Sequence, residues 1–388
     1  MPGRSRPDSP GSTEYFANLG AIRGIAALMV GLYHVCTTAF NDPAGATHLN
    51  DLVGSTQNPW SDLAFRIAGN GPGAVIIFFV LSGFVLALAL QKSGRSDWSA
   101  ARGFLAGRVF RIYPAVVSTL CIFGVVYLAT GQSLVPAAAN TLSNYLANIA
   151  LIRPAIVGPT WSLTLEMLAA PLIFASWQAW RRFGMPGLVV PYLLLVGLSF
   201  SPTWNYLIGQ PGSLGQIYAF LSGMLAFLYG RPIVAALRRP GTCLLFAIAC
   251  FAATRPIIGW GSYVTIWLET LFGSAIVALL AFGPFRPAST AFRVASYFGK
   301  ISFSFYLLHP MTLMAQPLLS PSIADALRLG YDPLLICAGL FVASVAIATP
   351  LAAVQYALVE RTFIELKDRR KRPKAAGVEP ARAARAKA

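Results

Sequence analysis

Residues 19–40 read LGAIRGIAALMVGLYHVCTTAF, with Arg23 near the start and His34 near the end. Between them lie only apolar and small side chains and Tyr33. An α-helix turns about 100° and rises about 1.5 Å per residue, so eleven steps make about three turns. Arg23 and His34 therefore share one face, roughly 16 Å apart along the axis. Ala26 and Val30 continue that stripe, and Gly24 and Gly31 leave room for close helix packing. An ionisable pair on one stripe of a membrane-length helix is a functional signal by default.

The rest of the chain supports the membrane reading. Of 388 residues, 56% are hydrophobic and only 11% charged, with mean hydropathy +0.62. A soluble domain carries roughly 25% charged residues. The expected fold is an all-α, polytopic membrane helix bundle of about ten spans. The spans fall near 17–39, 73–90, 112–130, 159–180, 185–200, 213–230, 241–254, 262–283, 297–319 and 333–359. The first is read as an uncleaved span, because its apolar run is long and lacks a small-x-small cleavage site. Residues 1–14 are expected to be disordered, 15–363 to form one membrane domain, and 364–388 to be a basic tail resting on anionic lipid. The polar piece NTLSNYLANIAL, within 131–158, is too short to span and is expected to lie in the interface or re-enter.

Charge sorts by side. With both termini in the cytoplasm, 26 of the 30 Lys and Arg lie inside, and Arg66, Arg153, Arg255 and Arg328 lie outside. That asymmetry fixes the expected orientation. It also explains the formal charge of +16 without nucleic acid, for which no aromatic-and-basic patch appears. The five cysteines sit in apolar segments without C-x-x-C spacing and read as small buried hydrophobes. His34, His48 and His309 share no ligand spacing, so no metal is expected.

Few ionisable groups fall within spans: Arg23, His34, Glu166, Glu269 and His309, with Arg108 and Arg111 at the inner boundary. The topology brings His34, Glu166 and His309 to one level in the outer half. A neutral imidazole beside a carboxylate suits a general base acting on a hydroxyl. Arg108-x-x-Arg111 sets two guanidiniums on one face, which suits a phosphate-bearing ligand from the cytoplasm. The same pair also reads as positive-inside anchors, and either histidine as a satisfied packing group. Glu269 has no motif around it and reads as structural.

Five motifs in order resemble acyltransferase family 3, integral membrane proteins that O-acylate sugars and glycans. They are R-x-x-A-x-x-x-V-x-x-x-H (Arg23, Ala26, Val30, His34), F-F-x-L-S-G-F (Phe78 to Phe84), R-x-x-R-I-x-P (Arg108 to Pro114), W-S-L-x-x-E (Trp161 to Glu166), and a G-x-I-S-F-x-x-Y-L-x-H segment (Gly299 to His309). The closing Glu360-Arg361 is also family-like, whereas Phe303 stands where a tyrosine is common.

The resemblance implies a cytoplasmic acyl-CoA donor, most simply acetyl-CoA, and a carbohydrate hydroxyl as acceptor. His34 would be the base, with Glu166 or His309 orienting it. Arg108 and Arg111 would hold CoA phosphates, and Arg23 would neutralise phosphate or pair with Glu166. Pantetheine would run along a Ser82-Gly83 turn, with Ser302 supporting the site. Tyr306 or Trp161 would stabilise an oxyanion. The place would be the bacterial cytoplasmic membrane, beside lipids and glycan-assembly proteins. Rival readings are a covalent acyl relay through His34 or Ser302, a proton-coupled transporter of a lipid- or sugar-linked substrate, and a non-catalytic partner in glycan assembly.

Overall fold

The computed structural model describes residues 12–39, 59–93, 98–206, 214–260, 262–285 and 289–371. Among them there is no β-strand, and the helices are α1 (Ser12–Ala39), α2 (Pro59–Ala68), α3 (Gly71–Ser93), α4 (Trp98–Thr130), α5 (Leu142–Ile149), α6 (Trp161–Phe183), α7 (Pro186–Ser199), α8 (Pro202–Tyr206), α9 (Tyr218–Ala236), α10 (Pro240–Ile258), α11 (Tyr263–Phe282), α12 (Thr290–Leu308), α13 (Gln316–Arg328), α14 (Pro333–Gln355) and α15 (Arg361–Lys371). The chain is an all-α polytopic membrane bundle.

Among the described residues, seven helical stretches are long and apolar enough to cross a membrane, containing α1, α3, α4, α9, α10, α11 and α14. The other three expected spans fall on α6, α7 and α12. Helix α7 has only 14 residues. Helices α6 and α12 carry Glu166, Arg181 and Arg182, and Arg293 and Lys300, which lower their hydropathy. Two of the weakest spans by hydropathy are thus helices whose polar residues matter below. The expected disordered segment 1–11 and the tail beyond 371 lie outside the described residues, whereas 12–14 and 364–371 are helical.

Helix α3 lies at the centre. Its residues Ala74 to Phe84 are almost all buried, which suits its uninterrupted apolar sequence. It crosses α9 at paired glycines: a Cβ on Gly83 would overlap the carbonyl oxygen of Phe220, and one on Gly223 that of Val80. The same device joins α1 to α12, where a Cβ on Gly24 would overlap Ala295 O and one on Gly299 would overlap Gly20 O. Small residues let membrane helices approach closely and gain dispersion contact in a medium with no hydrophobic drive between them. Helix α1 is thereby held against α12, with α3 and α14 beside it.

The third span begins earlier than the expected residue 112: α4 starts at Trp98 and runs 33 residues, so Arg108 and Arg111 sit within the helix and Pro114 is interior to it. Membrane helices tolerate this where neighbours satisfy the freed backbone. The 131–158 segment forms a compact cap. Asn148 accepts from the Ile156 and Val157 amides and donates to Thr160 Oγ1, while Leu142, Leu146 and Ile152 remain exposed.

Candidate active site

A cavity with about 760 Å3 of empty space, part of it open to solvent, lies between α1, α3, α4, α6 and α12. Three guanidiniums line it: Arg23, Arg108 and Arg111. Arg108 Nη1 donates to Glu166 Oε1 at 3.1 Å, and Ser82 Oγ donates to the same oxygen at 2.9 Å. Arg23 and Arg111 make no ion pair within 4.0 Å among the described residues. The carboxylate of Glu360 interacts with both through longer-range attraction. It is buried at the end of a single π-helical turn, Tyr356–Glu360, and accepts from Ser304 Oγ at 3.1 Å. One-turn π-bulges are frequent at functional sites. Two guanidiniums without a direct ion-pair partner in a cavity suit an anion, and guanidinium matches phosphate geometry best.

The cavity runs to Tyr306, whose hydroxyl donates to Pro159 O at 3.0 Å and lies 2.9 Å from Ser162 Oγ. Ser302 also lines it, fully buried, with Oγ donating to Gly299 O at 2.9 Å. The Tyr306 ring is 6.1 Å from the His309 ring, centroid to centroid. His309 is fully buried at the end of α12, and its Nε2 lies 2.8 Å from His34 Nδ1. Their rings are parallel within 5°.

The tautomers follow from one fixed partner. His309 Nδ1 is 3.1 Å from Phe305 O, and a carbonyl only accepts, so Nδ1 carries the proton. Neutral His309 then presents a lone pair at Nε2. His34 donates to it from Nδ1, which leaves His34 Nε2 with a free lone pair. A histidine held this way is a base with a defined direction. His309 is further fixed by Thr312, whose Oγ1 donates to His309 O at 2.7 Å.

Three sequence-based assignments change. Glu166 does not orient His34; its partners are Arg108 and Ser82, and His309 holds the imidazole. Gly83 lies in no turn and does not line the cavity: it is mid-helix in α3, buried against the α9 backbone. Trp161 does not line the cavity, and its ring packs edge-on against Phe79 at 6.0 Å. Sequence reasoning also missed Arg255. It was counted among the outer charges, but it is 3% exposed within α10 and grips Glu269 with two hydrogen bonds of 2.8 Å.

Residues 16–353 match the family profile described as an acyltransferase domain. Among curated proteins, Nodulation protein 10 of Rhizobium leguminosarum bv. viciae is 26% identical over 227 residues, 52% of this chain. The matched region spans 59% of that relative's length. No solved structure matches the chain.

Proposed function

The chain belongs to acyltransferase family 3, and on that basis we propose that it moves an acyl group, most simply acetyl, from cytoplasmic acyl-CoA to a carbohydrate hydroxyl. The membrane would be the bacterial cytoplasmic one, and the expected orientation would turn the cavity's arginines toward the cytoplasm. The observation that carries this reading is two guanidiniums, Arg23 and Arg111, without a direct ion-pair partner among the described residues, in a cavity that ends one ring away from a histidine pair.

In this reading Arg23 and Arg111 take the donor's phosphates, and the thioester lies beyond Tyr306 toward His34. His34 Nε2 removes the proton of the acceptor hydroxyl as its oxygen bonds to the thioester carbon. The carbonyl π pair moves to oxygen, giving a tetrahedral oxyanion. Its collapse breaks the C–S bond, and the leaving thiolate takes the proton from His34. Ester and free thiol are the products, and the pair returns to its starting tautomers. Tyr306 is a cavity hydroxyl whose ring approaches the histidine pair, 6.1 Å from the His309 ring. Its proton has Ser162 Oγ and Pro159 O as partners, so it serves the oxyanion only by leaving one of them.

Purified protein in liposomes, given labelled acetyl-CoA and candidate glycans, tests the reading. Release of free thiol together with a labelled acceptor is the expected result. Movement of a solute without thioester loss would establish a transporter instead.

A further inference from the structure

Beside the site lies a second buried charge centre that the proposed chemistry does not use. Glu269 in α11 is fully buried. Arg255 in α10 donates to its two oxygens from Nε and Nη2, each at 2.8 Å. Asn70 Nδ2 donates to Oε1 at 2.8 Å, while Asn70 Oδ1 accepts from Gly73 N at the start of α3. The third guanidinium nitrogen, Arg255 Nη1, donates to Trp260 O at 3.0 Å, and the guanidinium lies 5.3 Å from the Trp260 ring centroid. Trp260 stacks on Tyr33 at 6.1 Å and 15°. Tyr33 precedes His34, and their rings are 5.5 Å apart. The start of α3 presses on the same tyrosine, since a Cβ on Gly71 would overlap its Cβ and the adjoining ring carbons.

We infer that the Arg255–Glu269 pair is a positioning device: through Trp260 and Tyr33 it sets where His34 stands. This rests on His34 being the base of the proposed transfer. Two physical points support it. A buried ion pair rarely outperforms apolar residues of equal volume as a source of stability. What it supplies is direction: the bidentate fork fixes the guanidinium plane, and the remaining N–H fixes the Trp260 carbonyl. The contacts also run without a break from α11 through α10 to α1, with α3 clamped in by Asn70. Trp260 therefore touches the residue beside His34, while the donor cavity is lined by other residues.

The test uses the full-length protein with Trp260→Ala, Trp260→Phe and Glu269→Gln. The first readout is the rate at which diethyl pyrocarbonate modifies His34, followed by mass spectrometry, which needs no acyl transfer. The second is kcat and KM for acetyl-CoA. The expected result is faster His34 modification in Trp260→Ala and a kcat lower by about 10- to 100-fold, as for a misplaced reacting group. KM for acetyl-CoA stays unchanged, and Trp260→Phe restores most of both. An unchanged His34 modification rate in correctly folded Trp260→Ala overturns the inference, as does a KM that rises in step with the loss of kcat. If Glu269→Gln fails to fold, the two Trp260 variants decide alone. If wild-type protein transfers no acyl group yet His34 reactivity still responds to Trp260→Ala, the acyl-transfer reading fails and the positioning stands.

Discussion

His34 and His309, 275 residues apart in sequence, meet through a single 2.8 Å contact between Nδ1 and Nε2. Because Phe305 O fixes the proton on His309 Nδ1, the contact has one direction, and it leaves His34 Nε2 as the free base. The two residues should then fail differently. His34→Ala removes the base, and acyl transfer should fall by about 10²–10⁴-fold. His309→Ala leaves the base but not its tautomer, and kcat should fall by about 10²-fold or more while KM for acetyl-CoA holds. Thiol release from acetyl-CoA in the presence of acceptor measures both. A His309→Ala variant with normal kcat would make the pair a packing contact.

Arg23 and Arg111 should carry donor affinity. A hydrogen bond to a charged group contributes about 1.5–3 kcal/mol. Each alanine variant should thus raise KM for acetyl-CoA by about 10- to 100-fold with little change in kcat. Arg153, exposed and bonded to Asn144, is the control and should change neither. Steady-state kinetics at fixed ionic strength decide, and an unchanged KM returns Arg23 and Arg111 to simple topological anchors.

The fold was largely legible because membrane helices must satisfy their own backbone, so hydropathy and charge asymmetry mark them. The Arg23–His34 stripe was legible for the same reason: helical period alone sets it. What could not be read was which ionisable groups pair across helices. Glu166 was placed near His34 by depth, but depth does not give azimuth, and Arg108 and Ser82 lie on its side. Arg255 counts among the outer charges because it falls just past the expected end of a span, where an arginine in water and one gripping Glu269 look alike in sequence. Gly83 signals close approach without saying by what, and in the fold it is the backbone of α9 that approaches.

That distinction is measurable. Gly83→Ala places a methyl against Phe220 O, a backbone atom that cannot swing aside. Overpacking of this kind costs about 1–3 kcal/mol. The variant should unfold at lower temperature in detergent, and its folded fraction should keep a normal KM for acetyl-CoA. A donor-lining role would give the reverse, with normal stability and a raised KM. Thermal unfolding followed by tryptophan fluorescence, together with kinetics on the folded fraction, separates the two.

Glu166 gives a prediction of opposite sign to the one its motif implies. In the cavity it pairs with Arg108, which on the proposed reading leaves Arg23 and Arg111 to meet the donor. Glu166→Ala removes that partner and leaves three guanidiniums facing the same space. Removing one member of a buried pair is destabilising, here by about 1–3 kcal/mol because the Glu166 side chain keeps 17% exposure. An anionic donor supplies the missing charge, so acetyl-CoA should bind more tightly and restore part of the lost stability. The expected outcome is a lower KM for acetyl-CoA, and a rise in melting temperature on adding it that exceeds the rise in wild type. Were Glu166 instead the partner that orients His34, kcat would collapse and KM would hold. Kinetics and ligand-induced thermal shifts on the one variant distinguish these outcomes.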